Sequence, residues 1–161
     1  MAMFDPLTGL YNRRFAQPRI DTEIVRCQRK GTLLTLLLID LDGFKQINDA
    51  HGHAVGDMVL RAFADQLAKV SRGSDLAARL GGDEFMLLLP ECGSEQLQLV
   101  LERLVPLSIE IEGKKILVEF TAGWKEYRAG QSASELFEAA DRALYQNKRG
   151  MHVESGSPVS A

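Results

Sequence analysis

The sequence has little cysteine, little excess charge and no long hydrophobic run, and each shortage excludes a class of protein. Its two cysteines, Cys27 and Cys92, lie far apart and match no metal-ligand spacing, so we expect reduced, partly buried thiols of a cytoplasmic protein and no zinc site. A formal net charge of −3 is unlike the basic surface of a nucleic-acid-binding protein. The longest apolar run, Leu33 to Ile39, is far too short to span a membrane.

The remaining composition is that of an ordinary globular domain. Hydrophobic residues make up 45% and charged residues 25% of the 161 residues, which is enough for one full core. We predict one domain over residues 1–154 and a disordered tail over residues 155–161, which are small, polar and proline-containing. Because the chain begins abruptly at its first motif, we also expect it to be the cytoplasmic part of a longer protein, such as a sensor.

The turn Gly81-Gly82-Asp83-Glu84 lies between two apolar runs, residues 76–80 and 85–89, which predicts a β-hairpin. The two glycines have no Cβ, so a phosphate or a metal ion can come close to the backbone. A further carboxylate about 4 Å from the acidic tip would be repelled by roughly 4 kcal/mol at an effective dielectric of about 20, which calls for a cation or a raised pKa. The tip is therefore a candidate Mg²⁺ and polyphosphate site, with a solvated turn as the alternative.

A second candidate element is the apolar run from Leu33 to Ile39, which is apolar on both faces. It predicts a central strand covered on both sides. Asp40 and Asp42 follow directly, so they lie at the strand's C-terminal end, where a sheet presents ligands to a cleft. Asp40 is the natural third carboxylate beside the hairpin tip, unless it is an ordinary turn residue.

Helix signals flank these strands. Asn12 is a candidate N-cap for a first helix that ends at Gly31. Another helix begins near Ser94, and Ser132 starts a capping box that opens the last helix. Between those two helices, residues 107–120 alternate around a glycine turn and predict a second hairpin near the sheet edge.

The segment after the buried strand, residues 43–57, is dense in polar groups and leads into an amphipathic helix. Apolar residues at helical spacing from Val55 to Val70 form one face of that helix. Asp57 is then either only the N-cap of the helix or a ligand-binding group. His53 is likewise either a satisfied loop histidine or part of a site.

Several stretches, in order along the chain, resemble the motifs of the GGDEF domain family, the diguanylate cyclases, and the hairpin residues 81–85 spell the family name. The other stretches are Asp5-Pro6-Leu7-Thr8-Gly9-Leu10-Tyr11-Asn12-Arg13-Arg14, Asp40-Leu41-Asp42-Gly43-Phe44-Lys45-Gln46-Ile47-Asn48-Asp49, Gly52-His53-Ala54-Val55-Gly56-Asp57, Arg72-Gly73-Ser74-Asp75 and Ala140-Asp141-Arg142-Ala143-Leu144-Tyr145. The agreement extends from Asp5 to about Gly150 and weakens after Lys148, where the family's usual Gly-Arg-Asn is replaced.

The resemblance implies an α+β fold, with a central, mostly antiparallel sheet of about five strands flanked by helices. This is the architecture of nucleotidyl cyclase and polymerase palm domains, which have a ferredoxin-like core. The implied reaction condenses two GTP molecules into cyclic di-GMP and pyrophosphate. Each GTP lies on one of two facing domains, so catalysis requires a homodimer, and we expect the isolated domain to be a monomer or a weak dimer.

The resemblance also assigns roles to residues. It implies two Mg²⁺ or Mn²⁺ ions per GTP, held by Asp40, Asp83, Glu84 and the carbonyl of Leu41. Catalysis is implied for Asp83 as acceptor of the 3′-hydroxyl proton, for Glu84, and for Lys45, which stabilises charge on the phosphates. The remaining implied substrate-binding residues are Phe44, Asn48, His53, Asp57, Gly81, Gly82 and Lys148, of which Asn48 and Asp57 read the guanine.

A separate site for the product is implied by Arg72 and Asp75, an Arg-x-x-Asp motif that precedes the glycine pair, with a second arginine from Arg103. There the arginine would fork onto guanine or phosphate, and the carboxylate would accept from the guanine edge. Each of these residues has an ordinary alternative in turn chemistry or in a solvated helix surface.

The alternative function is a catalytically silent receptor for GTP or cyclic di-GMP. The replaced arginine after Lys148 favours it, whereas the retained Asp40, Asp83, Glu84 and Lys45 favour an enzyme. A cyclase that closes one nucleotide on itself is a third, poorer alternative.

Overall fold

The computed structural model describes residues 2–153 and the side chains of residues 2–149. Residue 154 and the predicted tail, 155–161, lie outside these residues, so the predicted boundary stays a prediction. The elements are β1 (Tyr11–Asn12), α1 (Arg13–Lys30), β2 (Leu34–Leu41), α2 (Phe44–His51), α3 (His53–Val70), β3 (Leu76–Gly81), β4 (Glu84–Pro90), α4 (Ser94–Leu104), β5 (Leu107–Ile111), β6 (Lys114–Val118), β7 (Phe120–Glu126) and α5 (Ala133–Val153).

A five-stranded sheet in the order β1-β3-β4-β2-β7 forms the centre of the fold. Only the short β1–β3 pair is parallel, and the other pairs are antiparallel. Helices cover both faces of the sheet, which confirms the predicted α+β architecture. β2 is an interior strand, and its alternate residues pack into different cores: Leu37 and Ile39 face α3 and α4, whereas Leu36 and Leu38 face α1 and α5.

The first helix begins and ends where the sequence predicts. Asn12 accepts a hydrogen bond from the backbone N–H of Phe15 at 2.9 Å, which satisfies one free donor of the first turn. Gly31 ends the helix in the left-handed region at φ 67°, where a residue without a Cβ is favoured. Pro18 lies inside α1 without ending it.

The hairpin predicted over residues 107–120 is present, because β5 and β6 pair antiparallel, but its predicted place near the edge of the main sheet is wrong. β5 and β6 form a two-stranded sheet of their own, β6 ends at Val118, and a separate strand, β7, pairs with β2 at the edge of the main sheet. β7 was not predicted, because Thr121, Ala122 and Gly123 interrupt the strong alternation that marks a strand. β1 was not predicted either, because its two residues are too few to form a pattern.

The segment before α3 also differs. Residues 44–51 form a short helix, α2, in which no residue is fully buried. Phe44 and Ile47 pack against the core, but two apolar residues are too few to predict a helix from the sequence. Gly52, at φ 91°, then separates α2 from α3 and is the N-cap of α3. Asp57 is therefore not the N-cap, because it lies inside α3, and His53 opens the helix instead of lying in a loop.

The two cysteines are free and buried, as predicted from their spacing. Burial raises the pKa of both Cys27 and Cys92, so both favour the inert thiol form. Within residues 2–153, none of the helices has the length and hydropathy needed to cross a membrane.

Candidate active site

The strand register brings the predicted carboxylates to one place. Asp40, near the end of β2, is paired with Glu84 of β4. The backbone N–H of Leu41 donates to the carbonyl of Asp83 at 3.2 Å, which attaches the hairpin tip to β2. Gly82 turns the chain at φ 49°, a left-handed conformation that costs glycine little. The structure thus assembles Asp40, Asp83 and Glu84 across two strands that are far apart in sequence.

Asp83 is half-buried and hydrogen-bonded to Asp40, and this environment disfavours its charge. Burial, and then the neighbouring charge of Asp40, raise the pKa of Asp83 from 3.8 to about 6. In the absence of a cation the two carboxylates compete for one proton. A bound cation would stabilise this pair, because it offsets the repulsion between the two carboxylates.

Lys148 of α5 supplies part of that positive charge. Its ammonium nitrogen lies 3.2 Å from Asp40 Oδ2 and 3.1 Å from Asp42 Oδ1. Burial alone would lower the pKa of Lys148, but the hydrogen bond to Asp42 and the charges of Asp40 and Asp42 raise it. Lys148 is therefore held as a cation beside Asp40 and Asp42.

The donor set fits a hard divalent cation that is completed by substrate. No group of three His, Cys, Asp or Glu side chains within residues 2–149 is arranged as a ready metal cage. Mg²⁺, however, commonly uses one or two carboxylates together with water and substrate phosphates, and Asp40 and Asp83 supply an adjacent oxygen pair. Beside them a cavity of 330 Å³ opens, with Asp40, Glu84, Tyr145 and Lys148 in its wall.

A second group forms where α2 packs on α3. Gly56 lies directly against the side chain of Asn48: a Cβ on Gly56 would overlap Asn48 Oδ1 and would lie 3.3 Å from the ring of Phe44. Asp57 follows Gly56 in α3, so the fold brings the two predicted guanine-reading residues to the same helix junction. Asn48 Oδ1 is buried and has no hydrogen-bond partner among the side chains and backbone that the structure describes.

Two of the predicted residues are less constrained. Lys45, in the first turn of α2, and His53, at the start of α3, are both exposed. The structure places them on the same two helices as Asn48 and Asp57. Their roles stay predictions.

Arg72 and Asp75 form a tight pair between α3 and β3. Arg72 Nη2 donates to Asp75 Oδ1 at 3.1 Å and to the carbonyl of Pro90 at 2.6 Å. The hydrogen bond to Asp75 raises the pKa of Arg72, although burial opposes it. The side chain of Asp75 is 0% exposed and that of Arg72 is 52% exposed. In this state the carboxylate holds the guanidinium, and the arginine alone faces outward.

Arg103 is not brought to that pair by any contact among residues 2–149. It is exposed in the last turn of α4, and its backbone carbonyl accepts from Gln66 Nε2 at 2.7 Å. Its predicted role as a second product-binding arginine stays a prediction.

Sequence reasoning missed the connection between Asp5 and Arg79. Arg79 Nη1 donates to both oxygens of Asp5, at 3.1 and 3.2 Å, and its Nε donates to the carbonyl of Gly82 at 3.0 Å. Although burial opposes it, hydrogen bonds from Thr8 and Arg79 lower the pKa of Asp5. The turn that begins at Asp5 is thus attached to the hairpin tip by two residues that are 74 positions apart, a separation that no local sequence pattern reveals.

The raised pKa of Asp83 predicts a pH-dependent stability. The native state binds more protons than the unfolded state between the two pKa values, 3.8 and about 6, so stability should fall as pH rises through that window. Asp83→Asn removes this loss. After a discount for solvent screening, the free energy of unfolding of the variant relative to the wild type should rise by about 1 kcal/mol between pH 4 and pH 8. Urea unfolding at each pH, with a chelator present, measures this difference.

Glu84→Gln, at the exposed neighbouring position, is the matched control, and its pH profile should follow the wild type. Parallel profiles for the wild type and Asp83→Asn would contradict the placement of Asp83 against Asp40.

Comparisons with known proteins show which family the chain resembles. The family model described as "Diguanylate cyclase, GGDEF domain" matches residues 2–153. Diguanylate cyclase DgcP of Pseudomonas aeruginosa is 40% identical over 152 residues, which cover 92% of this chain and 23% of that protein. Diguanylate cyclase DgcS of Shewanella oneidensis is 36% identical over 148 residues, covering 91% of this chain and 50% of that protein.

Among solved structures, the GGDEF domain of DgcB from Caulobacter crescentus in complex with c-di-GMP superimposes with a TM-score of 0.86 at 31% identity. The match covers 93% of this chain and 92% of that domain. The chain spans at most half the length of the two curated relatives.

Proposed function

Because the chain belongs to the GGDEF domain family, whose model matches residues 2–153, we propose that it is a diguanylate cyclase that condenses two GTP molecules into cyclic di-GMP and pyrophosphate. The observation that carries the proposal is the carboxylate pair of Asp40 and Asp83 beside Lys148, at the tip of a glycine turn. A negatively charged oxygen pair next to a fixed ammonium is suited to a metal-bound triphosphate. A turn that only reverses the chain does not require such an arrangement.

Asp40, Asp83, Glu84 and the carbonyl of Leu41 would hold the divalent ions, Mg²⁺ or Mn²⁺, two per GTP. The ions would neutralise charge on the phosphates and stabilise the charge that develops during phosphoryl transfer. Asp83 accepts the proton of the ribose 3′-hydroxyl on a carboxylate oxygen.

The phosphates are positioned by cations and by backbone. Lys148 reaches the site from α5 with its charge secured by Asp42. Lys45, exposed at the start of α2, faces the growing charge on the phosphates once substrate is bound. Gly81 and Gly82 leave the turn open, because nothing lies within 4 Å of a Cβ built on either residue.

Guanine is selected by the group at the α2–α3 junction. Asp57 accepts from the N1–H and the amino group of guanine, which adenine lacks, while Asn48 contacts the same base and Phe44 and His53 border it. An unpaired buried carboxylate penalises the wrong base, and such discrimination reaches about 10⁴-fold in favourable cases. The domain thus uses GTP in preference to ATP.

Two copies of the domain are required, because each active site binds one GTP and the 3′-hydroxyl of one attacks the α-phosphate of the other. Product accumulates at the separate site formed by Arg72, Asp75 and Arg103 and inhibits the enzyme. The outward-facing guanidinium of Arg72, fixed from behind by Asp75, is suited to bind a guanine or a phosphate. In this proposal the domain acts in the cytoplasm, where GTP is available.

The proposal is tested by incubating dimerised protein with GTP and Mg²⁺ and separating the products by chromatography. Cyclic di-GMP and pyrophosphate should appear with the wild type and be absent with Glu84→Gln. Tight cyclic di-GMP binding without product would show a silent receptor instead, and a cyclic mononucleotide would show a one-substrate cyclase.

A further inference from the structure

Asp42 is an acidic residue of the site that is not among the proposed metal ligands. It follows β2, and its backbone N–H donates to the carbonyl of Glu119 at 2.8 Å. Its Oδ1 accepts from Thr121 Oγ1 of β7 at 2.7 Å and from Lys148 Nζ of α5 at 3.1 Å. The side chain is 19% exposed, and its Oδ2 is buried and has no hydrogen-bond partner within the described part of the chain. Asp42 therefore joins β2, β7 and α5 at a single carboxylate.

The ammonium group of Lys148 contacts two carboxylates, and these have different roles in the proposed function. Asp40 is a ligand for the divalent ion in the proposed function, and its oxygens cannot serve the ion and the lysine equally. When a cation occupies Asp40, the Lys148–Asp40 ion pair, 3.2 Å in the present structure, weakens. Asp42 is then the carboxylate that still holds the lysine.

The hydroxyl of Thr121 makes Asp42 a rigid partner. Thr121 is buried in β7, the strand that packs against α5 through Gly123, and it donates to the same oxygen that receives Lys148. A carboxylate fixed on one side by a buried donor loses little further entropy when it binds an ammonium on the other.

From this geometry, and resting on the proposed function, we infer that Asp42 is a positioning residue that keeps Lys148 directed at the triphosphate and out of competition for Asp40. Removing its charge leaves Asp40 as the principal carboxylate partner of the lysine. The lysine then competes with the divalent ion and withdraws from the phosphates. Two consequences follow: weaker triphosphate binding and a higher Mg²⁺ requirement.

The test is equilibrium binding of a non-hydrolysable GTP analogue by calorimetry, at several Mg²⁺ concentrations. Asp42→Asn should weaken analogue binding about 10-fold, the size of a lost charge-assisted hydrogen bond, and should raise the Mg²⁺ concentration for half-maximal binding. Turnover with GTP should show the change mainly in KM. Thr121→Val, which keeps the shape and removes the donor, should act in the same direction with a smaller effect.

The decisive control is the same substitution in a Lys148→Ala background. If Asp42 acts through Lys148, Asp42→Asn should have no further effect on analogue affinity there. An equal loss in both backgrounds, or unchanged affinity in the single variant, would overturn the inference. If the wild type binds the analogue but forms no cyclic di-GMP, the proposed function fails while the Asp42 test remains readable. If the wild type does not bind the analogue, both fail.

Discussion

Replacing Gly123 with alanine should lower the free energy of unfolding by about 3 kcal/mol and remove most binding of a GTP analogue at the proposed active site. At Gly123, β7 lies directly against the backbone of α5. A Cβ there would overlap the backbone N and Cα of Leu144 and would lie 2.6 Å from the carbonyl carbon of Ala143. Backbone atoms within a helix cannot rotate away as a side chain can, so the whole of α5 must move off the sheet.

The functional loss follows from what α5 carries. Asn147 Nδ2 donates to the carbonyl of Ala122 at 2.6 Å, and Lys148, the next residue, bridges Asp40 and Asp42. A displaced α5 withdraws both contacts together. Urea unfolding measures the stability, and equilibrium binding of a GTP analogue measures the site.

Gly73→Ala is the matched control, since nothing lies within 4 Å of a Cβ at Gly73 and its φ is not positive. It should change stability by no more than about 0.5 kcal/mol. A Gly123→Ala variant as stable as this control would show that α5 does not depend on close contact with β7.

Local rules predicted the elements whose signals are local. The Asn12 cap, the Gly31 terminus and the Ser132–Glu135 capping box were all confirmed. The turn at Gly81 and the buried strand β2 were confirmed as well, because a glycine turn and a doubly apolar run have few other structures. The fold class followed from the family resemblance and was confirmed by the sheet.

The elements that were not predicted depend on tertiary contacts, which local sequence patterns do not show. In β7, Gly123 weakens the strand pattern, yet the contact with α5 requires a glycine there. The β5–β6 hairpin has ordinary strand spacing, but spacing does not reveal that its two strands form a sheet apart. In residues 44–51 only Phe44 and Ile47 pack against the core, and two apolar residues are too few to form a helical pattern, so this helix was not predicted.

The site shows the same division. Strand order explains why Asp40 meets Glu84, and the sequence analysis placed both at strand ends. The bridge from Lys148 to Asp42 joins residues 106 positions apart, and the threonine behind it belongs to the missed strand. Sequence patterns therefore indicated the candidate site residues. The contacts that position them, such as those of Lys148 and Thr121 with Asp42, are visible only in the structure.

Replacing Gly56 with alanine should separate guanine recognition from stability. Gly56 lies inside α3, where alanine is the better helix former by about 1 kcal/mol, so helix propensity favours the variant. The new Cβ would overlap Asn48 Oδ1, but that oxygen is the end of a side chain and can rotate away. The variant should therefore fold with stability near the wild type and lose the position of Asn48.

The binding effect should be large, because the displaced amide leaves the base contact and the methyl group occupies its space beside Phe44. We expect binding of a GTP analogue to weaken about 100-fold, and the preference over the matching ATP analogue to shrink, as the polar contacts to guanine are lost. Calorimetry with both analogues measures this, and Asp57→Ser provides a comparison in which the base-reading carboxylate itself is removed. An unchanged preference for GTP in Gly56→Ala would exclude Asn48 from base recognition and leave Asp57 to select the base without it.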